Sequence, residues 1–252
     1  MKTLIIGRGE VGRALEKHLS KCYKVFSRDK EEIEVPFKPK IIHICYPYFN
    51  NFVKATLKYI QKYSPKYVVI HSTVKVGTTR KIQQETKAKV VHSPIIGVHP
   101  NLERGFKVFP KWIAPRSHAI KRYFEKTGMK VDFMQKPEET ELAKILSTTY
   151  FGWNIVFCKE VWKLCQKFKV DFKRVYSEWN EKYNEGYLKW LEYGDLKYFP
   201  IRPILKPDVW QKKVRKIGGH CVIPNCKLLD CKLTEIILKF NQTYHECSRT
   251  KK

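Results

Sequence analysis

Acidic residues are scarce in this chain: 24 Asp+Glu stand against 50 Lys+Arg, a formal net charge of +26. Such a field attracts phosphate-bearing ligands and nucleic acid alike. The lysines recur singly or in pairs, as in Lys58, Lys62 and Lys66 or Lys163, Lys167 and Lys169, and never gather into one block. No nucleic-acid module is recognisable, so the charge reads as a solvated surface and nucleic acid is not expected as a partner. Long apolar runs are missing too. No window approaches the ~18 uninterrupted apolar residues of a membrane span, and the apolar run at the start is too short for a signal peptide. A cytoplasmic protein without membrane contact is expected. Closely paired cysteines are also lacking: the eight are scattered, and Cys45, Cys158 and Cys165 fall in strand or helix interiors. That is reduced, cytosolic usage rather than a disulfide framework. His220, Cys221, Cys226, Cys231, His245 and Cys247 miss the Cys-x2-Cys spacing of zinc sites, and Cys226–Cys231 reads as helix, so no metal is expected. Internal repeats and low-complexity tracts are absent.

What is present begins at once. Gly7-Arg8-Gly9-Glu10-Val11-Gly12 follows the apolar run Leu4-Ile5-Ile6 and opens an amphipathic stretch in which Val11, Leu15 and Leu19 recur at helical spacing. A Gly-x-Gly-x-x-Gly between strand and helix holds a pyrophosphate. The first glycine turns the chain, the second admits the phosphates, the third brings helix to strand, and the helix N-terminus faces the anion. Alone the motif is weak, but its strand–turn–helix context is met here. Gly7, Gly9, Glu10, Val11 and Gly12 are therefore candidate cofactor contacts for NAD or NADP. The two are told apart at the end of the second strand, where an acid binds ribose hydroxyls and an arginine accommodates a phosphate. This chain offers Ser27-Arg28-Asp29. Both cofactors stay open, with a slight lean to NAD.

The first part of the chain alternates strand-like and helix-like segments. Strands are expected at Lys2–Ile6, Tyr23–Phe26, Ile41–Cys45, Tyr67–His71, Lys89–His92 and Trp112–Ala114, and helices at Val11–Ser20, Asn50–Lys62 and Thr79–Thr86. Alternation of this kind predicts a parallel sheet with helices on both faces, binding ligands beyond the carboxyl ends of its strands. From Pro137 the pattern becomes helical: one long helix to about Lys169, another over Arg174–Leu191, an irregular Gly194–Lys216, and a last helix over Cys226–Asn241. The expected architecture is α/β: a Rossmann-type dinucleotide-binding domain over 1–136, then a smaller all-helical substrate and dimerisation domain over 137–252.

Four separated pieces, in order, carry a resemblance: Gly7–Gly12, His71-Ser72-Thr73-Val74-Lys75-Val76-Gly77-Thr78-Thr79, Glu141-Leu142-Ala143-Lys144, and Gly218-Gly219-His220-Cys221. The chain resembles the UDP-glucose/GDP-mannose dehydrogenases, within the wider 6-phosphogluconate and β-hydroxyacid dehydrogenase superfamily. Cys45-Tyr46-Pro47 also resembles that family's strand ending in Val-Pro, and Tyr46, Pro47, Ser72 and Thr73 join the expected cofactor contacts. The resemblance implies an enzyme that oxidises a primary alcohol to an acid in two hydride transfers, through a thiohemiacetal on Cys221. It implies that Lys144 stabilises oxyanionic intermediates, that Thr73 helps to place a catalytic water, and that the chain forms a homodimer through its long helix. The physical chemistry agrees. A basic run at Lys212, Lys213, Arg215 and Lys216 favours thiolate, and a lysine beside substrate polarises an alkoxide or takes its proton. Plainer readings stand beside these: an inert thiol at a tight turn, an ordinary Glu141–Lys144 ion pair, a threonine cap.

The departures from the family bear on function. Ser93-Pro94-Ile95 replaces Ser-Pro-Glu, Thr148 replaces an asparagine, and Asn225 replaces an aspartate, so water activation for a second, hydrolytic step is in doubt. The family's C-terminal nucleotide-sugar domain is expected to be missing. Instead, a histidine-bearing loop follows the fifth strand, where His92 or His99 is placed for acid–base work near neutral pH or for hydrogen bonding. Tyr176, Trp179, Asn180, Tyr183, Asn184 and Tyr187 share one helix, to line a pocket or to pack. The expected function is NAD(P)-dependent oxidation of an alcohol on a small anionic or sugar-derived substrate. The alternatives are single-step β-hydroxyacid chemistry, in which Lys144 alone is essential, and a dinucleotide-binding protein that has lost catalysis.

Overall fold

The computed structural model describes residues 1–29, 34–98, 101–194, 198–205 and 216–244. The chain divides into two compact units, Met1–Ile145 and Leu146–Lys252. The division falls inside a helix that starts at Pro137, the position at which the sequence pattern turns helical.

The first unit is built on five parallel strands in the order β2-β1-β3-β4-β5: β1 Lys2–Ile6, β2 Lys24–Arg28, β3 Ile41–Ile44, β4 Tyr67–Ile70 and β5 Lys89–His92. Short runs of aliphatic residues buried on both sides make these strands, as parallel sheets require. Alternate residues feed two cores. Ile5, Ile41, Val69 and Val91 meet α1 (Glu10–Leu19), α4 (Leu102–Val108) and α5 (His118–Glu125) on one face. Leu4, Ile6, Ile42, Ile44, Val68, Ile70 and Val90 meet α2 (Phe52–Tyr63) and α3 (Thr78–Gln84) on the other. The sixth expected strand does not extend this sheet. β6 (Lys111–Ile113) pairs in parallel with β7 (Val131–Phe133), and the pair touches the main sheet through an antiparallel bridge between His92 and Ala114.

In the second unit α6 (Pro137–Phe168) continues, followed by π-helical turns over Lys173–Glu178 and α7 (Trp179–Trp190). The last helix is shorter than expected. Val222–Cys226 forms one helix and Lys232–Thr243 another, so Cys226 closes the first and Cys231 caps the second, contrary to a single helix through both. Ile155, Phe172, Tyr176, Val222 and Ile237 lie in the core of this unit. No helix among the described residues is long and apolar enough to cross a membrane.

Candidate functional site

The order β2-β1-β3 means that the chain reverses its direction of winding at β1, and the crevice beyond that point is where such sheets receive ligands. The glycine turn lies there, and its three glycines are constrained in three different ways. Gly7 has φ +102, and a Cβ on it would lie 2.7 Å from the backbone N of Tyr46. A Cβ on Gly12 would lie 1.8 Å from Gly7 O, so only glycine lets α1 approach β1. Gly9, the residue before α1, has nothing within 4 Å of such a Cβ. The turn is thus closed on its protein side and open at Gly9, matching the separate duties of the motif. Glu10 is exposed in the first turn of α1, and half-buried Val11 packs on the core.

At the end of β2 the three candidates separate. Ser27 donates its hydroxyl to Glu16 Oε1 at 2.6 Å. Arg28 is buried: Nη1 donates to Tyr63 Oη at 2.8 Å, Nε donates to the Asp29 carbonyl, and the guanidinium lies over the Tyr59 ring. Asp29 is exposed. At the next strand ends, Ser72 donates its hydroxyl to Tyr46 O at 2.6 Å, tying the loop after β4 to the loop after β3. The Tyr46 hydroxyl bonds Thr56, and burial raises its phenol above the usual tyrosine range. Pro47 is exposed and Thr73 half-buried.

The start of α6 grips two strand ends through adjacent residues. Glu141, fully buried, accepts the backbone N–H of Gly77 at 2.6 Å and of Thr79 at 2.8 Å, capping α3 from outside. Gly77 has φ +90, a conformation suited to glycine. Burial raises the Glu141 carboxyl, opposed by its bonds to Thr79 and Gly77. An ordinary surface ion pair is therefore not what Glu141 is for. Thr140 bonds His92 Nδ1 at 2.8 Å, and His92 Nε2 lies 3.1 Å from Ser72 O. His92 is fully buried, and burial holds it down at about 3, with Lys111 and Lys144 acting in the same direction and a hydrogen bond to the Ser72 carbonyl opposing them. Through these bonds His92 braces β5 against the loop after β4 and the start of α6. Lys144, one turn beyond Glu141, is half-buried.

In the second unit, half-buried Cys221 immediately precedes the helix Val222–Cys226. Asn225 is buried and donates Nδ2–H to Thr148 Oγ1 at 3.2 Å. His99 and the basic residues Lys212, Lys213 and Arg215 lie outside the described residues, as do His245 and Cys247. The amides on α7 bond the segment around Arg202. Asn184 Nδ2 donates to Arg202 O at 2.8 Å and its Oδ1 accepts Arg202 N–H at 2.9 Å. Asn180 Oδ1 accepts from the Arg202 guanidinium, which stacks 3.5 Å from the Tyr183 ring centroid. Sequence reasoning passed over His43 and Lys111, both buried in the first unit beside His71. A lone histidine inside Ile41-Ile42-His43-Ile44 was the available signal.

No family model and no curated protein sequence matches this chain. Solved structures do resemble it. A UDP-N-acetyl-mannosamine dehydrogenase from Staphylococcus aureus aligns with TM-score 0.69 at 16% identity, over 96% of this chain and 68% of that one. A 3-hydroxyisobutyrate dehydrogenase from Mycobacterium tuberculosis aligns with TM-score 0.65 at 11% identity, over 96% of this chain and 94% of that one. An NDP-N-acetyl-D-galactosaminuronic acid dehydrogenase from Methanosarcina mazei aligns with TM-score 0.62 at 14% identity, over 95% of this chain and 65% of that one. The likeness establishes the fold: a Rossmann-type parallel sheet with a helical C-terminal portion. This chain spans about two thirds of the two nucleotide-sugar dehydrogenases and nearly all of the hydroxyisobutyrate enzyme.

Proposed function

We propose that this chain is an NAD(P)-dependent dehydrogenase acting on an alcohol group of a small anionic or sugar-derived substrate. The carrying observation is the glycine turn at the point where the sheet's winding reverses, closed by Gly7 and Gly12 and open at Gly9. A dinucleotide fits this cradle: the N-terminus of α1 takes the pyrophosphate, and Asp29 takes the ribose hydroxyls. Tyr46, Pro47, Ser72 and Thr73 border the nicotinamide end. The cofactor supplies the hydride acceptor. Lys144 polarises the alcohol and takes its proton. With Arg28 buried against α2 and bonded to Tyr63, and Asp29 exposed, NAD is the preferred cofactor.

Two observations favour single-step oxidation over oxidation to the acid. Ile95, where the resembled family has a glutamate, is buried in the core, and Asn225 spends its amide on Thr148. Neither position offers a carboxylate to activate water. Cys221 is then dispensable, and Cys221→Ser leaves turnover standing. A second copy of the chain is the proposed partner. α6 exposes Leu146, Tyr150, Phe157, Leu164 and Phe168 at spacings of one helix face. None of the seven described cysteines is in a disulfide, in keeping with a cytoplasmic protein.

Titration of nicotinamide fluorescence against the purified chain tests the reading. Dissociation constants in the micromolar range, about −8 kcal/mol, are expected, and no binding of either cofactor at millimolar concentration defeats it. Binding without turnover on any alcohol or hydroxy acid turns the reading to a dinucleotide-binding protein without catalysis.

A further inference from the structure

Five side chains in the first unit form one buried hydrogen-bonded line. Thr3 Oγ1 lies 3.1 Å from Tyr123 Oη, which lies 3.1 Å from His43 Nε2. His43 Nδ1 lies 2.8 Å from His71 Nε2, and His71 Nδ1 lies 3.1 Å from Lys111 Nζ. All five residues are at most 5% exposed. Lys111 Nζ also donates to the carbonyls of Ser93 and Pro94, and it sits 5.7 Å from the Phe124 ring centroid. Among the described residues its hydrogen-bond partners are thus two carbonyls and an imidazole, with no carboxylate.

A hydroxyl or a neutral imidazole has one proton to give, so such a line runs in one direction or the other. With a neutral amine at Lys111 it runs inward. Thr3 donates to Tyr123, Tyr123 to His43 Nε2, His43 Nδ1–H to His71 Nε2, and His71 Nδ1–H to Ser93 O at 2.7 Å, beside the amine's lone pair. An ammonium has no lone pair and carries a third N–H. With both carbonyls already used, its acceptor is His71 Nδ1, which must then be bare. His71 therefore carries its proton on Nε2, and each bond back to Thr3 reverses.

We propose that Lys111 and this line form a one-proton switch: uptake of a proton at the Lys111 amine reverses the hydrogen bonds through His71 and His43 to Tyr123, so both imidazoles change tautomer together and stay neutral. The balance is one proton gained, on Nζ; Thr3, Tyr123, His43 and His71 each keep one. The surroundings fit. Burial drives the Lys111 amine well below the lysine range, with Cys45 at the end of β3 opposing and Lys144 on α6 reinforcing. Burial, and then Lys111, hold His43 down at about 3. His71 is held well below its usual value by burial, Lys111, His43 and His92, with its bond to Ser93 opposing. From α5, Tyr123 and Phe124 face the line, and Tyr23 donates to the Tyr123 carbonyl. The amine, not an imidazole, is the group that takes the proton. The switch acts at the carboxyl ends of β4 and β5, because His71 precedes Ser72 and Lys111 holds Ser93 and Pro94. It does not depend on the dehydrogenase reading.

The test is long-range 15N–1H NMR of the ring-labelled full chain, from about pH 10 to about pH 5.5, below the ordinary lysine range. His43→Gln and His71→Gln assign the two rings. Both should exchange their protonated and bare nitrogens at one shared midpoint, with no imidazolium signal. Lys111→Met, and Lys111→Gln should the first fold poorly, should abolish the exchange. Removing the neighbouring cation with Lys144→Met should move the midpoint to higher pH. Tautomers that never change across this range, rings that titrate separately to imidazolium, or an exchange that survives in both Lys111 variants each overturn the switch.

Discussion

The carboxylate of Glu141, on α6, accepts the backbone N–H of Gly77, just ahead of α3, at 2.6 Å. Its other oxygen takes Thr79 N–H, so one buried side chain satisfies two amides at the start of α3. Glu141→Gln keeps a single acceptor oxygen and should cost about 1.5–3 kcal/mol, the worth of one hydrogen bond to a charged group. Glu141→Ala leaves both amides without that acceptor and should cost more. Urea denaturation of the two variants measures this. A loss under ~1 kcal/mol in both would show that the clamp is replaceable by water.

Gly9 and Gly12 should separate binding from folding. Gly9 has φ −70 and open space where a Cβ would go, so Gly9→Ala should leave the thermal midpoint nearly unchanged. It should nevertheless weaken dinucleotide binding roughly tenfold or more, about 1.4 kcal/mol, because the methyl occupies the phosphate approach. Gly12→Ala drives its methyl into Gly7 O and should lower both stability and binding. Paired melting curves and fluorescence titrations distinguish the two. Equal cofactor affinity in wild type and Gly9→Ala would place the pyrophosphate elsewhere.

The end of β2 should prefer NAD. Arg28 would have to leave Tyr63 and the Tyr59 ring to reach a ribose phosphate, whereas the exposed Asp29 repels one. Competitive titration should show NADH bound at least about tenfold more tightly than NADPH, and Asp29→Ala should narrow the gap. Tighter NADPH binding would mean that Arg28 does turn outward.

Acid should unfold the first unit through its histidines. His43 and His92 are held down at about 3 inside the fold, against an ordinary value near 6.5 when unfolded. Between those values the unfolded chain binds more protons. The stabilisation is therefore complete above about pH 6.5 and drains as pH falls toward about 3, by up to ~1.4 kcal/mol per pH unit for each histidine. Denaturant midpoints at neutral pH and near pH 5 should differ accordingly, with a shallower fall in His43→Gln. Flat stability over that interval would mean that both rings take up protons without unfolding.

Much of the first unit was legible because its signals are local. Leu4-Ile5-Ile6 and Gly7–Gly12 announce strand, turn and helix within a dozen residues, and the aliphatic runs after them repeat at parallel-sheet intervals. α4 was not legible. It spans seven residues and contains Gly105, whose missing Cβ lets the helix lie against Ile96 O. β6 read as a sheet strand because pattern alone does not choose a partner, and its partner is β7. The clamp made by Glu141 was not legible, since nothing near it in sequence points to the amides of Gly77 and Thr79. The line from Thr3 to Lys111 was hidden for the same reason: each member is unremarkable within its own segment, and only the fold brings them together.

The amides of α7 show how a suggestive residue set becomes structural. Asn180 and Asn184 lie one turn apart, and both face Arg202, in a segment without regular structure of its own. Asn184 makes two bonds with the Arg202 backbone, standing in for the strand partner that this segment lacks. Asn184→Ala removes both and should destabilise the attachment by about 1–2 kcal/mol, each neutral bond contributing roughly 0.5–1.5 kcal/mol. The loss should be local, because Asn184 is not part of the core around Ile155, Tyr176 and Ile237, which Leu205 still joins. Limited proteolysis therefore reads the effect better than global melting: cleavage within 198–205 should speed up several-fold while the melting temperature moves little. If cleavage there is unchanged, the segment is held by Tyr176, whose hydroxyl accepts the Leu205 N–H, and not by the asparagine pair.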